Sequence, residues 1–153
     1  MAIINSVATA GPGYGSGFIT SRTGIAVSSG SASAVPATGS LTIPIYRGKV
    51  RVKIYNGAGT SPTLTKLQIS ITDGTNTVIV EDRNFGTAVT LSSTNFYDGV
   101  FNFLIDYSTA GGGATGTLLA PTVSTTAMVV NVTPTLGGTS PAATMDIEVY
   151  GEP

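Results

Sequence analysis

The stretch LTKLQISITDGTNTVIVED, Leu64 to Asp82, decides the reading of the fold. Leu67, Ile69 and Ile71 recur at every second position, which places them on one face of an extended strand. Asp73-Gly74 then supplies turn chemistry: glycine accepts a positive φ, and aspartate hydrogen-bonds to its own backbone. Val78, Ile79 and Val80 follow in a returning segment, so the stretch predicts an antiparallel hairpin whose loop length stays open.

The same period of two extends to both sides. In KVRVKIY, Val50, Val52 and Ile54 alternate with Lys49, Arg51, Lys53 and Tyr55, which predicts a strand with one wet face. In GVFNFLIDY, Phe101, Phe103, Ile105 and Tyr107 share one face, while Val100, Asn102, Leu104 and Asp106 share the other. Because that second face is partly apolar, the strand is expected near the centre of a sheet. TAMVVNVTP (Thr126 to Pro134) and ATMDIEVYG (Ala143 to Gly151) supply two last strands; the latter turns Met145, Ile147 and Val149 away from Asp146, Glu148 and Tyr150. Shorter strands are expected at Ile3 to Ala8, at Ala88 to Ser92 and near Leu118. LTIPIY (Leu41 to Tyr46) carries Pro44, which lacks an amide hydrogen and marks an edge strand or a bulge.

About eight to ten strands result, and no stretch has helical periodicity with caps. Short connections poor in helix formers favour antiparallel pairing. The expected fold is all-β, an antiparallel two-sheet β-sandwich that is jelly-roll-like or immunoglobulin-like, with a closed β-barrel as runner-up. Residues 1–40 differ in composition. GPGYGSG and SGSASAVPATGS are small-residue stretches that read as an N-terminal arm or loop-rich margin, expected to dock through Tyr14, Phe18, Ile19, Ile25 and Val27 on a body formed by residues 41–153 or on a neighbouring subunit.

Composition narrows the function classes. At 153 residues the chain is long enough for one domain with a real core, burying roughly 65 to 70% of its extended surface. Only 10% of residues are charged, so the surface must be coated mainly by hydroxyls, amides and backbone. That coat weakens charge-based protection against self-association and suits a protein that works against neighbours. A net charge of -1 argues against free nucleic-acid binding, which draws its affinity from neutralised phosphates. There is no cysteine, hence no disulfide or thiolate chemistry. The start, MAIINSVATAGPGYGSG, lacks the charge pattern of a signal peptide, and no run reaches the 18 apolar residues of a membrane helix, so a soluble chain is expected.

Without histidine there is no imidazole base and no Ser/His/Asp triad. Asp106, Asp146 and Glu148 could form a carboxylate pair of glycosidase type, but no aromatic-rich groove accompanies them. Asp73 and Asn76 with Glu81 to Asn84 could offer oxygens to calcium, yet the spacing fits no calcium loop and turn chemistry accounts for them. The glycine strings match no phosphate-binding fingerprint, and Asn131-Val132-Thr133 fits the glycosylation pattern only formally. No cofactor, metal or catalytic residue is assigned.

What remains is a charged face. Lys49, Arg51 and Lys53 alternate along one strand, and Asp146 and Glu148 stand two residues apart on another. The basic residues could cover the sheet with their stems, contact phosphate, or pair with the two acids. Two pairings are open: side by side in one sheet, fixing register, or across a subunit boundary, fixing orientation.

Taken over all 153 residues, the glycine-, serine- and threonine-rich β character resembles small capsid decoration, cement or fibre-associated proteins of tailed bacteriophages. The resemblance is of character and rests on no motif, so it carries over no functional residue. It implies a non-enzymatic virion structural protein on the capsid surface, acting through subunit contacts. Its partners would be itself, as a homo-oligomer with a trimer as one candidate, and a larger protein shell, without membrane or nucleic acid. Deleting residues 2–40 would then be expected to abolish assembly and leave a folded body. The alternative is a carbohydrate-binding or adhesive module at an extracellular surface, using loop residues such as Tyr14, Asn95, Tyr97 and Asp98.

Overall fold

The computed structural model describes residues 17–41, 47–57, 60–105, 118–119, 128–139 and 141–152. The strand expected at Ile3 to Ala8, residues 42–46 with Pro44, the loop at 111–116, and Tyr14, Asp106 and Tyr107 lie outside them. Nine strands run through the described residues: β1 (Gly17–Val27), β2 (Ser33–Val35), β3 (Arg47–Asn56), β4 (Thr63–Thr72), β5 (Thr77–Thr90), β6 (Tyr97–Ile105), β7 (Leu118–Leu119), β8 (Val129–Gly137) and β9 (Ala143–Glu152).

The hairpin forms as its pattern dictates. Leu67, Ile69 and Ile71 of β4 are fully buried, and Thr72 pairs with Thr77 across a four-residue loop. Asp73 holds that loop: its Oδ1 accepts from the amides of Thr75 and Asn76 at 2.9 and 2.7 Å, while Gly74 takes φ +92°. Replacing Asp73 by alanine removes the acceptor of both amides and should cost about 1 kcal/mol in a urea titration. The returning segment is less regular. A register shift beside Ile69/Ser70 makes Val80 an extra residue that turns into the core, while Ile79 is left 46% exposed on the outer face.

The strand expected at Ala88 to Ser92 is not separate; residues up to Thr90 are the second half of β5. Leu64 pairs with Val89 and Lys66 with Asn84, so Thr65 alone stands against four residues, 85–88. This bulge bends β5 and brings Phe85 edge-on to Tyr97 of β6, with ring centres 5.3 Å apart. It also lets Leu64 and Leu67, three apart in sequence, both face inward.

Two sheets stack. One has the order β1-β9-β3-β6-β7 and the other β2-β8-β4-β5. All pairs are antiparallel except β6 with the two-residue β7. Setting β7 aside leaves eight strands in two four-stranded antiparallel sheets. The first pairs with the last, the second with the second-last, and so on inward to the β4–β5 hairpin. That is a long hairpin wrapped into a sandwich, the jelly-roll connectivity and not the immunoglobulin one. Neither sheet closes into a barrel among the described residues.

The core lies between the inner faces: Val50, Val52 and Ile54 of β3 with Met145, Ile147 and Val149 of β9 on one side, and Leu67, Ile69, Ile71, Val130 and Val132 on the other, all fully buried. The middle strand of the five-stranded sheet is β3, with β9 on one side and β6 on the other, so β6 is an interior strand as its two-faced apolar pattern led one to expect. Val100, which gave β6 its second apolar face, points outward and is 53% exposed. Within the stretch read as an arm, β1 extends the first sheet and β2 the second, and Ile25 and Val35 enter the core. No helix of the described residues is long and apolar enough to cross a membrane.

Candidate functional site

The outer face of the five-stranded sheet gathers the charged residues singled out in the sequence. Alternation along β3 buries Val50, Val52 and Ile54 and sends Lys49, Arg51, Lys53 and Tyr55 outward. On one side β9 sets Tyr150 opposite Lys49, Glu148 opposite Arg51, and Asp146 opposite Lys53. On the other, β6 sets Asn102, Val100 and Asp98 against the same three residues. The basic and acidic strands are thus neighbours in one sheet, a basic column flanked by Glu148 and Asp146 on one side and by the single acid Asp98 on the other.

Arg51 binds the lattice together. Its Nε and Nη2 donate to the two oxygens of Asp98 at 3.0 and 2.8 Å, and its Nη1 lies 3.6 Å from Glu148. Hydrogen bonding and the nearby charge of Arg51 hold the Asp98 carboxyl below the usual carboxylate range, and Arg51 is correspondingly raised. With side chains 43% and 31% exposed, this pair is screened by solvent and adds little to stability. Its main effect is on register and orientation.

Lys49 and Lys53 rest on aromatic rings. The Lys49 ammonium lies 5.4 Å from the centre of Tyr150, and that of Lys53 lies 4.8 Å from Phe96 and 5.5 Å from Tyr55. Asp146, the register partner of Lys53, is used elsewhere: its Oδ1 accepts from the Gly24 amide at 2.8 Å and from the Tyr55 hydroxyl at 3.2 Å. Between Met145↔Ile25 and Ile147↔Arg22, the single residue Asp146 stands against Thr23 and Gly24. Gly24 takes φ +66° in this bulge, and Asp146 satisfies the amide the bulge displaces from the ladder. Nothing in the sequence around Asp146 announced that task, because the bulge lies 122 residues away.

The Tyr150 hydroxyl donates to Glu148, which raises the tyrosine's pKa. Tyr55 and Tyr97 are raised as well, chiefly by desolvation. A raised folded-state value means stabilisation that is complete below the unfolded pKa of about 10 and lost as pH climbs through the folded values. These three tyrosines should therefore ionise later in native than in denatured protein, seen as a delayed rise in tyrosinate absorbance. Asp98 has the opposite sign, and its contribution should disappear only as pH falls below about 4.

Three exposed apolar side chains share this face: Phe18 at 60%, Val100 at 53% and Phe96 at 48% exposure. Phe18 meets Tyr150 edge-on at 5.8 Å. Lys49, Arg51, Val100 and Tyr150 line an open hollow of about 340 Å³. Phe18 and Phe96, outside the charged alternation, were not singled out by the sequence as part of this face.

The other candidate residues are dispersed. Asn95 donates to the Thr90 carbonyl and closes a turn with Ser92. Tyr97 turns inward against Phe85, while Asp98 points outward to Arg51, so neighbouring residues of β6 serve opposite faces. Asp73 and Asn76 hydrogen-bond within their own loop, and Asp82 and Glu81 pair with Lys66 and Arg83 at 3.0 and 3.6 Å. Among the described residues, no three ligating side chains converge as a metal site. Comparison with protein-family models, curated proteins and solved structures finds no match.

Proposed function

We propose that the chain is a non-enzymatic structural subunit, a capsid decoration or cement protein or another virion surface subunit, that works through protein–protein contacts. The observation that carries this reading is the outer face of the five-stranded sheet. It holds three basic side chains and three acidic ones, Lys49, Arg51 and Lys53 against Asp98, Asp146 and Glu148, interleaved with the exposed apolar groups of Phe18, Phe96 and Val100. A balanced face attracts neither polyanions nor polycations at long range, whereas exposed apolar area on a rigid sheet favours burial against protein.

The jelly roll adds support by analogy, since it recurs in viral capsid proteins, although it also serves lectins. The carbohydrate-binding alternative has less behind it, because Tyr97 and Asp98 face opposite sides of β6 and Asn95 is engaged in its own turn. The working parts would be a stiff sandwich as the block and its outer sheet face as the contact. Solution mass of the full chain, measured by sedimentation across concentrations, tests this together with a glycan-binding screen. Concentration-dependent self-association without glycan binding is expected. A monomer that binds glycans would replace this reading with the adhesive one.

A further inference from the structure

Acidic and basic columns lie side by side on β9 and β3, with β1 beyond β9 and β6 beyond β3. A two-fold axis parallel to the strands and running between β9 and β3 exchanges those columns between two facing copies. Because rotation about such an axis preserves height along the strand, Glu148 of one copy faces Arg51 of the other, and Asp146 faces Lys53; both pairs share a register row. The same operation sets β1 opposite β6. Phe18, which pairs in the Tyr150 row, then stands over the row of Lys49 and Asn102, beside the hollow lined by Val100 and Tyr150. Every contact occurs twice, as an isologous interface requires.

We propose that this outer face closes on the same face of a second copy of the chain about that two-fold axis. The inference rests on the structural-subunit reading and names its contact. Charge complementarity is built into the register: no lateral shift is needed to bring unlike columns together, and like columns never meet. The area is adequate. Four strands about 4.8 Å apart and about ten residues long present about 600 Å² per copy, or about 1,200 Å² in all, the lower end of the range for specific interfaces. The opposing charges select this orientation, and the exposed Phe18 and Val100 provide apolar burial.

The test uses the full chain. Sedimentation equilibrium should show a two-chain particle that weakens with added salt. Val100→Arg, at an exposed position where folding is spared, should raise the dissociation constant at least about tenfold by burying an unmatched charge. Gln68→Lys, on the outer side of the other sheet, should leave it unchanged. The chain contains no cysteine, so geometry can be checked directly. Phe18→Cys protein mixed with Asn102→Cys protein should be joined by a short bis-maleimide, whereas Phe18→Cys protein alone should not.

Assembly that survives Val100→Arg, or cross-linking that ignores the pairing, overturns this contact and leaves the structural reading standing on another surface. A chain that is monomeric at every concentration also overturns it, and then glycan binding decides whether the broader reading falls too.

Discussion

Phe103→Ala is expected to lower the unfolding free energy by about 3–5 kcal/mol, read from a shift in the urea midpoint at constant slope. The ring is 1% exposed, among the largest fully buried side chains, and it lies over the backbone of Gly48 on the neighbouring strand. A Cβ placed at Gly48 would come 2.7 Å from Phe103 Cζ and would overlap the carbonyl oxygen of Tyr150. Phenylalanine fills the space that glycine leaves, so truncating the ring opens a cavity between two paired strands that cannot move together without breaking the ladder. Gly48→Val should be at least as damaging, because β3 is held by β9 on one side and β6 on the other. Combining Gly48→Ala with Phe103→Leu should not restore stability, since shortening the ring leaves the overlap with the Tyr150 carbonyl in place.

Removing residues 2–40 takes a strand from each sheet and withdraws Ile25 and Val35 from the core, so a folded body is not expected to survive. The loss extends beyond two buried side chains. β9 would become an edge, its ladder to β1 left unpaired, and the Asp146 carboxylate would lose the Gly24 amide. Exposed edges pair with other chains, so aggregation is the expected outcome for this deletion, detected by light scattering. A soluble, cooperatively folding 41–153 fragment would show that β1 and β2 are accessories to the sandwich.

Much of the body was legible as alternation. The hairpin at Leu64 to Asp82 and the strands β3 and β9 follow from a period of two together with a turn dipeptide, because each of those strands has one dry face and one wet one. Strands that depart from simple alternation were harder to place. β5 looked like two strands because the bulge at residues 85–88 interrupts its pattern, and β6, interior to its sheet as expected, nevertheless leaves the apolar Val100 facing outward. Bulges and outward apolar residues are set by contacts far away in sequence, and local periodicity does not report them.

The charged face divides in the same way. The sequence by itself determined that Lys49, Arg51 and Lys53 share one side of a strand and that Asp146 and Glu148 share one side of another, because side-chain direction along an extended chain is fixed by backbone geometry. Only the tertiary structure decided that the two strands are neighbours, that Arg51 prefers Asp98 on a third strand, and that Asp146 is occupied by the bulge at Gly24. Pairing between strands separated by some ninety residues depends on how the whole hairpin wraps on itself, a collective choice of the core.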